Sequence, residues 1–589
     1  MVMKALSRCT IRLFKNQLSR FFSLLIIVIV SIGFMAGIGE VDPVISVAVN
    51  DYYQSQNVAD LYLKSGSPSG FLAQDVQWLK DKFGEENVLT SFSYEYLEEG
   101  QVVRVYSHDL SSPVNKLELI DGRLPQNSQE ILAERETEGI KAHKIGDVVS
   151  ISGADYTVCG IVANPLLVYQ NEDMSFQYED KHLCKVFYLP SPAPLINDVY
   201  VSLADRALFD SFSDDYKQEI HSLKEEISQN VSADVTVLSL YENLGLYVLS
   251  AYGEKVGDIA IIFVVFFLLI TLLVVYSTMS RLFDEERNQI ACMKTLGHSQ
   301  GKIVGRYVLF VFLASLLGGL LAFGVGQALT SIIYNAFNLQ YRMPAFPKTS
   351  YHPFFLVSFI IILVSNTLLT LFAGLKLSSG KPTALLAPKM AKSGKKVFLE
   401  KIPAVWNKLS FRYKSTLRNV LLFKGRFFMT VLSVIGSTVL VFAGLGLLDC
   451  ASTTEGGSSL ISISIALLVF SAALCALVVY NLTNINVGER KREIATLMVL
   501  GYNDKEVSGY IFREIYIMGV IGALFGLIFG YFFVDFVFNL IDFGSVADIN
   551  WWSYVITPVI TMFFCFLATL LLKKKIVKTD MNASLKSIE

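Results

Sequence analysis

The sequence predicts an α-helical membrane protein: eight transmembrane helices in two tandem four-helix units, with one α+β extracytoplasmic domain between helices one and two. Three observations lead there. The 589 residues are 53% hydrophobic and only 17% charged, with mean hydropathy +0.48, whereas soluble globular chains carry about 25% charged residues. The net charge of −2 hides a division, because residues 41–250 hold 33 Asp and Glu against 14 Lys and Arg, a net of −19, and the remainder carries +17. Finally, the chain repeats itself at an offset of 204 residues.

A bilayer core of roughly 30 Å requires about 20 apolar residues as helix. Eight segments qualify, at 21–39, 259–276, 307–329, 354–375, 427–448, 460–482, 510–537 and 554–572. The first is read as an uncleaved signal-anchor, because it is long and no small-residue cleavage site follows Ile38. Basic residues orient the chain. Residues 1–20 carry Lys4, Arg8, Arg12, Lys15 and Arg20 with no acid, residues 376–426 hold 13 Lys and Arg against the single Glu400, and the last span ends in Lys573, Lys574 and Lys575. Eight crossings put all three on one side, the cytoplasm, with both termini there. Trp551 and Trp552 then fall at the outer interface, and residues 40–256 lie outside. The inner elements are an N-terminal segment (1–20), a linker with a second basic helix (376–426) and a tail (573–589). The segments 4–17 and 411–424 read either as amphipathic helices on the inner leaflet or as plain basic flanks.

The repeat lays Val274, Val275 and Tyr276 on Val478, Val479 and Tyr480, Glu285 on Glu489, Ile290 and Ala291 on Ile494 and Ala495, and Leu296 and Gly297 on Leu500 and Gly501. It runs ungapped through the second and third helices of each half. Arg20-Phe21-Phe22 echoes Arg426-Phe427-Phe428 more weakly. About 215 residues separate the first two helices of the first half, but only 449–459 do so in the second. Parallel repeats imply a pseudo-twofold axis along the membrane normal. The third helix of each half carries small residues at four-residue steps, Gly318, Ala322 and Gly326, then Gly522, Gly526 and Gly530, a stripe that lets helix backbones approach closely.

Between the second and third helices of each half lies a short charged helix with apolar residues at three- and four-residue spacing and a closing glycine, Gly297 or Gly501. Such an elbow carries force to a soluble partner or is simply a solvated turn. Its pattern, E-R-x-x-E/Q-I-A-x-L/M-x-x-L-G followed by a Gly-rich helix, resembles the FtsX-type permease domain of MacB/FtsX/LolC-like ABC transporters, at about residues 260–375 and 465–575. The resemblance implies that this segment docks an ATPase subunit. The role passes to Glu285, Glu286, Arg287, Met293, Leu296 and Gly297 in the first copy. In the second it passes to Glu489, Arg490, Glu493, Ile494, Leu497, Leu500 and Gly501.

In the acidic block, runs at 119–125, 130–132, 144–151 and 156–162 are punctuated by Gly and Asp and read as strands of a small β-rich module, and 208–228 has helical periodicity. The run resembles the periplasmic core domain of MacB-like permeases, through its D-G-R-x-P turn and its K-x-G-D-x-V strand. One such domain instead of two departs from the family's symmetric pattern. Residues 240–258 read as a stalk helix or a linker, and the acids Glu172, Asp173, Glu179 and Asp180 as a solvated loop. Of seven cysteines only Cys159 and Cys184 lie in this block, so a single disulfide is available if it is outside the cell. Six histidines without an HExxH pattern make no metal site. Asn366 stands out as a polar residue inside a span.

No G-x-x-x-x-G-K-S/T occurs, so the chain lacks a phosphate-cradling loop and is read as a non-enzymatic subunit without its own cofactor. The resemblance implies the permease subunit of a MacB-type ABC transporter in a bacterial inner or plasma membrane. A cytoplasmic ATPase dimer would bind ATP and Mg, and the cargo would be an amphipathic peptide, antimicrobial, lipid or lipoprotein. The alternative is an FtsX-like signalling scaffold that activates an extracellular cell-wall hydrolase without transport. An extracellular accessory protein fits either, the bilayer is the remaining partner, and nothing points to nucleic acid.

Overall fold

The computed structural model describes residues 2–168, 175–178, 180–190, 195–204, 213–232, 234–347, 353–386, 400, 410–422, 424–453 and 458–577. In chain order its helices are α1 (Val2–Asn16), α2 (Leu18–Gly39), α3 (Val41–Ser55), α4 (Ala73–Phe83), α5 (Asp214–Asn230), α6 (Leu244–Glu285), α7 (Arg287–Thr295) and α8 (Gln300–Phe337). They continue with α9 (Pro353–Leu377), α10 (Pro382–Leu386), α11 (Phe411–Leu422), α12 (Lys424–Thr453), α13 (Ser458–Glu489), α14 (Lys491–Val499), α15 (Asp504–Ile541) and α16 (Trp551–Val577). Among the described residues eight helices are long and apolar enough to cross a bilayer, and each contains or closely overlaps one of the eight expected segments. The chain is a multi-pass membrane protein.

Two compact units form. One holds residues 1–40, 256–330 and 351–589, and the other 41–255 and 331–350. The membrane unit is organised around the first helix of each half. The spans at Leu18–Ser55 and Phe427–Thr453 have 72% and 78% of their apolar stretch covered by protein, against 22–44% for the other six. The small-residue stripes explain this. A Cβ on Gly318 would lie 2.9 Å from Leu25 O and one on Gly326 3.2 Å from Ala36 Cβ, and Ala322 is fully buried, so α8 lies against α2. In the second half, Cβ atoms on Gly522, Gly526 and Gly530 would come within 2.6, 2.6 and 3.0 Å of Val434, Thr438 and Phe442 of α12. Only residues without side-chain bulk permit that approach. Asn366 donates to Ser315 Oγ at 3.1 Å, linking α9 to α8 as a buried interhelical bond.

The α+β unit is a ten-stranded sheet of order β10-β1-β9-β2-β3-β8-β5-β7-β4, with β6 also on β7. The strands are β1 (Leu61–Ser65), β2 (Val88–Glu98), β3 (Gln101–His108), β4 (Glu118–Gly122), β5 (Glu130–Glu134), β6 (Val148–Ile151), β7 (Ala154–Ala163), β8 (Leu183–Leu189), β9 (Asp198–Val201) and β10 (Val235–Ser239). Four of them fall on the runs expected from the sequence. Gly122 (φ +83) ends β4 where a Cβ would collide with Cys159 O at 2.4 Å. Val76 and Leu79 of α4 and Tyr216, Ile220 and Ile227 of α5 cover one end of the sheet, against Leu61, Leu63, Val199 and Val201. The expected stalk begins the single long helix α6. Residues 172, 173, 179, 205–212, 387–399, 401–409, 423 and 578–589 lie outside the described residues.

Two expectations are corrected. Cys159 and Cys184 are free thiols. They sit on β7 and β8, with β5 between them and offset along the strands, so their backbones are more than about 9–10 Å apart, beyond the reach of a disulfide. The second unit also takes in Ser331–Ser350, which the sequence assigns to the membrane bundle. The reason is an ion pair, Arg342 Nη1 to Glu134 Oε1 at 2.8 Å, with side chains 4% and 0% exposed. Tyr188 Oη donates to the same carboxylate at 2.7 Å, and Arg342 N donates to Val168 O at 2.7 Å. Burial pushes the Glu134 pKa up, while Arg342, Tyr188 and the Asn164 N–H pull the other way.

His108 is buried in β3, its Nδ1 3.3 Å from Ser91 Oγ, and burial lowers its pKa to about 4. The unfolded chain takes up this proton near pH ~6.5. The contribution is therefore fully present above ~6.5 and is lost as pH falls towards the folded value, by up to about 3 kcal/mol. Amide exchange of β2 and β3 in the full-length protein, corrected for intrinsic rates, should show easier opening at acid than at neutral pH. His108→Gln should shrink that difference.

Candidate coupling site

The elbows leave the bundle side by side. Arg281 Nη1 donates to Asn486 Oδ1 at 3.0 Å, and Asn481 Nδ2 donates to Thr278 Oγ1 at 2.9 Å. Both bonds are buried and join α6 of the first half to α13 of the second near the ends of these helices. The rings of Phe34 of α2 and Phe470 of α13 (5.5 Å) extend the junction along the spans, and within the first half Ser31 and Thr271 (2.7 Å) tie α2 to α6. Hence α7 and α14, which follow α6 and α13, begin at the same end of the bundle.

Each elbow is a one-residue break followed by a nine-residue helix. Glu286 (φ −83, ψ 9) separates α6 from α7, and Arg490 (φ −101, ψ 12) separates α13 from α14. Each ends in the same left-handed cap. Gly297 N and His298 N donate to Lys294 O and Met293 O at 3.0 and 3.1 Å, and Gly501 N and Tyr502 N to Met498 O and Leu497 O at 3.0 and 3.1 Å. This is a Schellman motif, which needs φ > 0 at its glycine, and the values are +84 and +89. A Cβ on either glycine would meet nothing within 4 Å. Glycine is required here by backbone conformation, not by crowding.

The apolar stripe expected to grip a partner faces inward instead. Ile290, Ala291 and Met293 join Leu282, Phe283, Ile303, Val304 and Tyr307 in one core. Ile494 and Ala495 are fully buried, Ile494 packs with Val487, Val507, Ile511 and Phe512, and Leu497 is partly buried beside them. The stripe fastens each elbow to its own helices. What remains uncovered is the tip: Leu296 is 78% exposed and its repeat equivalent Leu500 69%, with Val499 and Tyr502 beside the latter.

The charges divide in the same way. Glu285 pairs with Arg20 at 2.5 Å, tying the end of α6 to the start of α2. Arg490 is buried and holds Glu514 of α15 through two contacts of 2.6 and 2.7 Å, with Glu493 at 3.7 Å. Glu286 is partly buried, which raises its pKa against the opposing pull of Arg306. Arg287 is partly exposed, and the side chain of Glu489 lies outside the described residues. The first elbow has a further latch. Lys294 Nζ donates to Ser378 O and Gly380 O beyond α9, and Gln300 Nε2 donates to Leu375 O at 2.7 Å. A cation at those carbonyls also suits the negative end of the α9 dipole.

The sequence reading missed Arg20, Lys294, Arg281, Asn481, Asn486 and Glu514 as parts of this site. Three asparagines within six residues of an apolar helix (Asn481, Asn484, Asn486) were the available signal, since buried polar groups in a span require partners. Residues 261–382 and 465–581 each match the FtsX-like permease C-terminal family. The two elbows lie inside these two stretches. Compared with the curated proteins, the chain has no match.

Replacing Arg490 by Ala would leave Glu514 buried without its cation, a change that costs about 3–5 kcal/mol. Limited proteolysis of the variant should cut the 490–503 elbow faster than in the wild type while leaving 286–299 unaffected.

Proposed function

With an FtsX-like permease domain in each half, we propose that the chain is the membrane subunit of an ABC transporter, driven by a separate cytoplasmic ATPase dimer that holds the ATP and Mg. The observation that supports this most directly is the pair of uncovered apolar tips, Leu296 and Leu500, on braced elbows at one end of the bundle. One polypeptide supplies two docks, so one chain per two ATPase subunits is the expected stoichiometry. Leu296 and Leu500 enter pockets on the ATPase subunits, Gly297 and Gly501 set the direction of each tip, and Glu286, Arg287 and Glu493 supply register. Glu285, Arg490, Met293, Ile494 and Leu497 hold the elbows rigid, so that displacement at the tip passes into the spans. This end of the bundle is the cytoplasmic one.

The α+β unit is the extracytoplasmic output. The chain passes between the two units at 40–41, 255–256, 330–331 and 350–351, which gives four covalent routes for motion. The second pair brings in Ser331–Ser350, anchored by Arg342 on Glu134. Mechanical transmission of this kind suits an amphipathic cargo, such as a peptide, lipid or lipoprotein, taken from or moved out of the membrane.

Leu296→Asp combined with Leu500→Asp should abolish co-purification with the ATPase while leaving membrane insertion intact. Burying each Leu is worth ~1.5–3 kcal/mol, so the double change should weaken binding by more than about 100-fold, and each single change should leave partial binding. Unchanged co-purification would overturn the docking assignment. Gly297→Val, which strains the left-handed cap by about 1–2 kcal/mol, should weaken binding less than the double change. ATPase stimulation by added amphipathic peptide or lipid is the expected sign of transport. Stoichiometric capture of a cell-wall hydrolase by residues 40–256, without such stimulation, would assign the chain to signalling.

A further inference from the structure

The N-terminal helix α1 has two unlike faces. Cys9, Leu13 and Phe14 pack on the core that also holds Ile290, Ala291 and Met293 of the first elbow. The Phe14 ring is 5.0 Å from Phe310 of α8 and 5.6 Å from Phe21. The opposite face runs at three- and four-residue steps through Arg8, Ile11, Arg12, Lys15, Leu18 and Phe22, all exposed, with Ile11 at 67%, Leu18 at 47% and Phe22 at 53%. Cations and apolar side chains thus share one stripe that continues into the exposed side of the first span. Residues 1–39 contain no carboxylate. Among the described residues Arg8, Arg12 and Lys15 have no acidic partner, whereas Arg20, on the covered side, is paired with Glu285.

We infer that the exposed face of α1 is a binding surface for anionic phospholipid headgroups, and that their binding steadies the first elbow. Ile11, Leu18 and Phe22 would enter the acyl boundary while Arg8, Arg12 and Lys15 reach the phosphates, the division of labour of an interfacial helix. Contact with the elbow follows from α1's other face, which shares its packing, and from Arg20, which clamps Glu285 at the root of α7. In the second half one exposed cation of the corresponding helix is already paired. Arg418, exposed on α11, pairs with Glu400 at 3.5 Å, and Tyr413 is exposed on the same helix. The inference needs α1 at the bilayer surface and does not depend on which side of the membrane that is. Its test involves no ATPase, so its failure would leave the proposed function standing.

The test uses the full-length protein in phosphatidylcholine vesicles with trace spin-labelled phosphatidylglycerol or phosphatidylcholine, reading the motionally restricted fraction of each. The wild type should prefer phosphatidylglycerol, and high salt should reduce the preference. Arg8→Gln with Arg12→Gln and Lys15→Gln should lower it about three-fold or more, whereas Lys573→Gln, a basic residue at the end of the last span, should leave it unchanged. No preference in the wild type, a preference insensitive to salt, an unaltered preference in the triple variant, or an equal loss with Lys573→Gln would each overturn the site. The last result would mean that basic flanks attract anionic lipid generally.

Discussion

In each half the third helix packs directly on the first along a stripe of small residues, and the rest of the bundle depends on that contact. Lipid tails are as apolar as leucine, so helices gain little by hiding hydrophobic surface from one another and associate through close packing and hydrogen bonds. Gly318, Ala322 and Gly326 against α2, and Gly522, Gly526 and Gly530 against α12, supply that packing twice. They make the first span of each half the covered centre of its unit, leaving the outer faces of the other spans, rich in Leu, Ile and Phe, for lipid.

Around these two centres the halves are joined by polar groups. Thr278, Arg281, Asn481 and Asn486 are buried, and each would be costly in hydrocarbon without a partner. Satisfying one another across the junction places the roots of both elbows together. An elbow can act as a lever only if it is stiff, and here the apolar stripe is used for stiffness. Ile290 and Ile494 anchor, the Schellman glycine ends the helix, and the next leucine is left outside. Of the charges of the motif, Glu285 and Arg490 brace the elbow, through Arg20 and Glu514.

The halves share this plan but not its details. The first elbow is latched to the end of α9 by Lys294 and packed against α1, whereas the second is braced by the buried Arg490–Glu514 pair. The α+β unit is inserted in the first half alone, and the loop after α8 is drawn into it by Arg342. The two elbows of the duplicated chain are thus braced unequally, and only the first half carries the α+β insertion.

Local pattern determined what can be read without distant partners. Twenty-residue apolar runs define spans, and the 204-residue offset pairs Leu296 with Leu500 and Gly297 with Gly501. Gly and Asp punctuation also marked β4 to β7 within a few residues. Each of these depends on residues near one another in the chain. Tertiary structure decided the rest. Whether Ile494 docks outward or inward depends on Val507 and Ile511 arriving from α15. Whether Cys159 can reach Cys184 depends on β5 lying between their strands. Whether 331–350 belongs to the bundle or to the sheet depends on Glu134, some two hundred residues earlier, being buried without a cation until Arg342 reaches it. Periodicity shows that a helix has an apolar face but not what that face meets, because burial is a property of pairs of surfaces.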